Sequence, residues 1–139
     1  MIRFSLIFAL ATLPASAQAQ TKDIMSEISA MVDARSGESA KTARQLWEWA
    51  EVGYLEEKSS DLLKQSLKAN GFKITSGVAG IPTAFVAEFG HDGPVIAILA
   101  EYDALPGIDQ DAAATRTPIE GKGAAHACGH NLFGTGSVE

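Results

Sequence analysis

One cysteine in 139 residues rules out any internal disulfide, so this chain must hold itself together by packing. Clustered positive charge is also missing. Eleven Lys and Arg stand against 17 Asp and Glu, and Lys58, Lys64, Lys68 and Lys73 are scattered in the manner of a solvated helix face. Phosphate backbones are bound by concentrated Lys and Arg, so nucleic acid is excluded as an expected partner. No apolar run approaches the about 20 residues that a membrane-spanning helix needs. There is no internal repeat, and no low-complexity tract beyond the first residues.

What is present begins with a leader. Arg3 precedes an apolar stretch over residues 4–13, and Ala15-Ser16-Ala17 and Ala17-Gln18-Ala19 both fit a small-x-small cleavage site. Residues 1–19 are expected to be a signal peptide cut after Ala19. The protein is then exported, periplasmic or secreted, with no membrane span after cleavage. Residues 20–139 suffice for one small domain and are more acidic still once Arg3 is removed.

The hydrophobic period predicts the elements. Ile24, Met25, Ile28, Met31 and Val32 recur at helical spacing, so residues 23–33 are expected to form an amphipathic helix interrupted at Ser36-Gly37. Ala40, Ala43, Leu46, Trp47 and Ala50 mark a second helical face, either on a new helix or on a continuation of the first. Leu62, Leu63 and Leu67 stripe a third helix over residues 57–70, ended by Gly71 at the position that needs a positive φ. Phe72 and Ile74, then Phe85, Ala87 and Phe89, alternate as in half-buried strands. His91 falls in the Gly90-His91-Asp92-Gly93-Pro94 turn, as a solvated histidine. Residues 95–100, Val-Ile-Ala-Ile-Leu-Ala, predict a strand buried on both faces of a helix-covered sheet. A Gly- and Pro-containing loop over residues 104–125 follows, and loops of that length in compact domains are usually functional. Gly134-Thr135-Gly136-Ser137 predicts a helix start with close backbone packing.

The chemistry concentrates at two places. Glu101 and Asp103 end the apolar run, and His126, Cys128 and His130 end the loop. In open α/β sheets, ligands gather beyond the carboxyl ends of strands, where both segments would meet. A thiolate, an imidazole and a carboxylate are zinc ligands at about 2.0–2.3 Å. Coordination would also protect a lone thiol in an oxidising compartment, and the Gly-His neighbours of Cys128 favour ligation over the alternative of a small buried apolar residue. Glu101 is equally suited to a salt bridge, Asp103 to capping the next turn, and His126 more to a backbone hydrogen bond than to ligation. Asp103 is favoured as an orienter of the site or of a ligand imidazole, because carboxylates are the usual partners of such rings. A cysteine nucleophile assisted by His126 or His130 is a further option.

Glu101-Tyr102-Asp103-Ala104-Leu105, read with His126-Ala127-Cys128-Gly129-His130-Asn131-Leu132, resembles the co-catalytic zinc amidohydrolase family of aminoacylases, carboxypeptidases and hippurate hydrolases. Within it, the chain is similar to the p-aminobenzoyl-glutamate hydrolase B-subunit group. Residues 46–56 look like that family's early helix and acidic turn, and residues 80–85 like its next strand. The resemblance implies an α/β fold, the N-terminal portion of a mixed-sheet, helix-covered, zinc-peptidase-like catalytic domain over residues 20–139. It implies metal ligation by Cys128 and His130, with Asp103 as the catalytic carboxylate beside the metals. It implies zinc in a two-metal site, replaceable by manganese or cobalt. The expected reaction is hydrolysis of the amide bond of a small N-acyl or N-aroyl amino acid by metal-activated water. A homodimer or a partner subunit is expected for the full-length form. Departures from the common pattern are Asn131 in place of Asp, Glu101-Tyr102 in place of Asp-Met, and Ala50 in place of Pro. The family's Glu-Glu pair, two further histidine ligands and inserted lid or dimerisation domain have no counterpart in these residues. The chain is therefore expected to be an inactive fragment of an active enzyme. The alternative is a truncated, noncatalytic binding or partner module of the same fold.

Overall fold

The computed structural model describes residues 15–139, and the charged and apolar regions of the expected leader lie outside them. The described residues divide into two compact units, one ending at Ala34 and the other Arg35–Glu139. Helix α1 (Ala15–Trp49) runs on through Ser36-Gly37, against the interruption that this pair predicts. A mid-helix glycine costs only about 1 kcal/mol, and good helix formers on either side outweigh it. Ser39 adds a bond from its Oγ back to the Arg35 carbonyl one turn earlier, at 3.0 Å. The stripe of Ile24, Met25, Ile28, Met31 and Val32 is exposed. No helix among the described residues is long and apolar enough to cross a membrane.

In the second unit the expected faces are used. Ala43 and Leu46 of α1 are buried, as are Leu63 and Leu67 of α2 (Glu57–Ala69). Gly71, at φ +87°, ends α2 with two backbone bonds, Gly71 N–H to the Lys68 carbonyl and Phe72 N–H to that of Leu67, both 3.1 Å. That pattern is a Schellman closure, which requires the left-handed residue. The chain then forms β1 (Lys73–Ser76), a 3-10 turn (Val78–Gly80) and β2 (Phe85–Glu88), paired antiparallel with Ile74 opposite Ala87. Helix α2 packs against this hairpin.

Residues 95–100 do not form the buried strand that their composition predicts. They pair with no strand among the described residues, and Val95 is 96% and Ile96 85% exposed. A strand of a helix-covered sheet needs neighbours on its edges and helices on its faces. Here β1 and β2 pair with each other, and neither takes this run as a neighbour. Backbone pairing resumes at Ala104. Its N–H bonds the Glu51 carbonyl at 2.7 Å, and it bridges Val52 in parallel. Ala50, Ala104 and Ala124 form a small core cluster, with Val52 packed on it.

The long loop is closed at its base. Strand β3 (Leu105–Pro106) pairs antiparallel with β4 (Ala124–Ala125), and Gly107 N–H bonds the Gly123 carbonyl at 2.8 Å. Helix α3 (His130–Val138) begins four residues before Gly134. The expected close packing of α3 is found at Gly134. The architecture is therefore α/β, with helices and two small antiparallel sheets.

Candidate metal centre

Two segments distant in sequence supply the site, and the β3–β4 pair brings them together. β3 directly follows Asp103 and Ala104; β4 directly precedes His126. Closing that ladder carries the start of α3 back to residues 101–103. Gly129, at φ +79°, turns the chain between Cys128 and His130, a conformation that glycine adopts without steric cost. His130 is then the first residue of α3.

His130 lies between two carboxylates. Its Nδ1 is 2.8 Å from Asp103 Oδ1 and its Nε2 is 2.9 Å from Glu101 Oε2. Asp103 can accept from a protonated Nδ1, and that tautomer leaves Nε2 facing Glu101. One ligand atom from each of Glu101, Asp103 and His130 lies within 4.8 Å of the others. The histidine is largely shielded, whereas the Glu101 carboxylate opens to solvent. One imidazole and two carboxylates suit zinc and also manganese, with Glu101 free to ligate and Asp103 placed to orient the ring. The residues therefore fit a divalent cation by their chemistry and proximity.

Of the site residues that the sequence points to, Asp103 and His130 meet. Cys128 is exposed and lies outside this three-residue set. Glu101, which the sequence alone leaves without a firm role, joins the set. Its spacing of two from Asp103 is the available signal, since alternate residues of an extended segment share a side. His126 is buried and bonds the Leu46 carbonyl through Nε2 at 3.1 Å, the backbone contact expected for it. Its Nδ1 has no hydrogen-bond partner among the described residues. Burial pushes the His126 pKa below the ordinary imidazole value, and the bond to Leu46 opposes that shift.

A buried network with no signal in the sequence holds the carboxylate segment from behind. Tyr102, between Glu101 and Asp103, donates its hydroxyl to the Thr83 carbonyl at 2.6 Å and stacks on Phe85. Ser60 Oγ donates to the same carbonyl at 2.7 Å, and Thr83 Oγ1 donates to Glu56 at 2.7 Å. Burial raises the Tyr102 pKa. Glu51 caps α2, accepting from the Ser59 N–H at 2.8 Å and its hydroxyl at 2.7 Å. Asn131 donates its amide to the Ala43 carbonyl at 3.1 Å, tying α3 to α1. A carboxylate could not make that bond, which gives the Asn131 departure a structural reason.

The described residues also form a cavity of about 300 Å³. Trp47, Ile108, Asp109, Arg116 and His126 are among the residues that line it, and none of the three clustered residues does. Asp109 fixes one wall by accepting the Gly123 N–H.

No family model matches the chain. It is 44% identical over 97 residues to the B-subunit of p-aminobenzoyl-glutamate hydrolase from Escherichia coli, covering 67% of this chain and 20% of that protein. It is 33% identical over 90 residues to thermostable carboxypeptidase 1 of Saccharolobus solfataricus, covering 63% of this chain and 22% of the relative. It is 36% identical over 99 residues to N-acetylcysteine deacetylase of Bacillus subtilis, covering 68% and 24%. The chain thus spans under a quarter of the length of each of these relatives. The relatives are hydrolases that act on amide bonds.

Proposed function

This chain belongs to the amidohydrolase family of those relatives, and from that premise we propose that it forms the N-terminal part of a metal-dependent enzyme that hydrolyses N-acyl or N-aroyl amino acids. The carrying observation is the convergence of Glu101, Asp103 and His130 from two sequence-distant segments. The relative whose name contains p-aminobenzoyl-glutamate hydrolase supports an aroyl amino acid as the substrate class, and its designation as one of several subunits supports assembly with a partner.

In this reading His130 and Glu101 hold the cation, with Cys128 as a further ligand. Zinc is the favoured metal because a thiolate is a soft donor. Bound there, a divalent cation polarises a carbonyl and lowers the pKa of water to about 7. Asp103 fixes the imidazole through its bond to Nδ1, which sets the ring's orientation and raises its basicity. Tyr102 holds the two carboxylates on the His130 side. Arg3, the apolar stretch over residues 4–13 and the small-x-small sites that follow support export, to the periplasm or beyond the cell.

The test uses the complete gene product, expressed through and past the codon for Glu139. Release of p-aminobenzoate from p-aminobenzoyl-glutamate is measured before chelation, after it, and after restoring zinc or manganese. Activity that disappears on chelation and returns with metal is the expected result. Hydrolysis that survives chelation and is lost on thiol alkylation would replace this reading with a cysteine nucleophile.

A further inference from the structure

We infer that Gly134 and Tyr102 are positioning residues, a clamp on the backbone of residues 101–102 that sets the spacing between His130 and its two carboxylates. The inference rests on the metal-centre reading above. His130 and Gly134 are four residues apart in α3, so they lie on one face of the helix, one turn apart. At Gly134 that face is in contact with the carboxylate segment. A Cβ there would stand 3.0 Å from the Glu101 carbonyl oxygen, 3.0 Å from Tyr102 Cβ and 3.4 Å from Leu63 Cδ1. The two nearest obstacles are a backbone atom and a Cβ, and neither can rotate away.

The segment cannot retreat from α3 without breaking its own contacts. On its far side the Tyr102 hydroxyl is bonded to Thr83 and the ring stacks on Phe85 at 6.0 Å between centroids. Just beyond, Ala104 is bonded to Glu51. Leu63 is itself buried. A methyl group at Gly134 must therefore lift α3, and His130 moves with the helix. Its contacts of 2.8 and 2.9 Å leave little slack. Metal–ligand distances tolerate only about 0.2 Å, so a displacement of a few tenths of an ångström is enough to weaken binding. Gly136, two residues on, meets nothing within 4 Å and supplies an internal comparison. Replacement by alanine favours helix equally at both positions, and only Gly134 adds a collision.

The experiment compares the complete gene product, as the unaltered chain, with its Gly134→Ala, Gly136→Ala and Tyr102→Phe variants. Zinc is titrated by calorimetry, Co²⁺ absorption reports ligand geometry, and circular dichroism reports helix content. Gly136→Ala is expected to bind as the unaltered chain does. Gly134→Ala is expected to keep its helix signal, lose affinity by about tenfold to a hundredfold, and change the Co²⁺ spectrum, as disrupted support of a ligand does. Folded Gly134→Ala with unaltered affinity and spectrum would overturn the inference. If Gly134→Ala does not fold, Tyr102→Phe decides: it keeps the ring and Cβ but releases the anchor, and unaltered binding in that variant would overturn the clamp. Failure of the unaltered chain to bind either metal would instead remove the metal-centre reading, and the inference with it.

Discussion

Asp103 Oδ1 lies 2.8 Å from His130 Nδ1, a contact that spans 27 residues of sequence. The carboxylate holds the ring so that Nε2 faces Glu101. Replacing Asp103 by Asn keeps the size but removes the charge that orients and polarises the imidazole. Asp103→Asn should weaken zinc binding by about tenfold to a hundredfold, the usual cost of losing a ligand's supporting carboxylate. Calorimetric titration checks it, and unaltered affinity would separate Asp103 from the site.

Thr83 should matter for stability rather than for metal affinity alone. Its hydroxyl donates to the carboxylate of Glu56, and both residues are buried. Thr83→Val keeps the shape and removes that donor. The expected loss is about 1–3 kcal/mol, because a buried acceptor loses its partner. Urea unfolding measures the loss, and a midpoint equal to that of the unaltered chain would contradict the network.

Asn131 is buried and its amide donates to the Ala43 carbonyl. Asn131→Asp, which restores the family's common pattern, replaces a donor with an acceptor facing another acceptor. A loss of about 1–3 kcal/mol is expected at neutral pH. Thermal unfolding of the variant provides the check. An equal or higher Tm would show that the α3–α1 tie is dispensable.

The exposed run at residues 95–100 should govern solubility. Ile96 and Leu99 lie open to solvent, and contiguous apolar exposure promotes association. Ile96→Lys together with Leu99→Lys should reduce self-association without lowering Tm. Light scattering and thermal melts test both halves, and a large fall in Tm would mean that these side chains are packed.

The elements with a strong local signal are legible in the sequence. Leu63 and Leu67 are buried on α2 as their spacing requires, and Gly71 takes the positive φ at its end. The β1–β2 pair follows the alternation of Phe72, Ile74, Phe85 and Ala87. Residues 95–100 depart from their sequence pattern for a physical reason. Their composition reports compatibility with a buried sheet, whereas strand formation depends on neighbours that supply edges and faces. Gly37 departs in the opposite sense, since a local helix weakness yields to a continuous hydrogen-bond ladder.

The sequence by itself determined which chemistry this protein has available: one thiol, His130, and carboxylates at alternate positions 101 and 103. Tertiary structure alone decided which of them meet. The β3–β4 ladder brings His130 to Glu101 and Asp103, a buried backbone bond occupies His126, and Cys128 stays exposed outside the cluster. Ligand character belongs to a side chain and can be read from its identity. Convergence belongs to the path of the backbone, which loop closure and the close approach at Gly134 set across tens of residues.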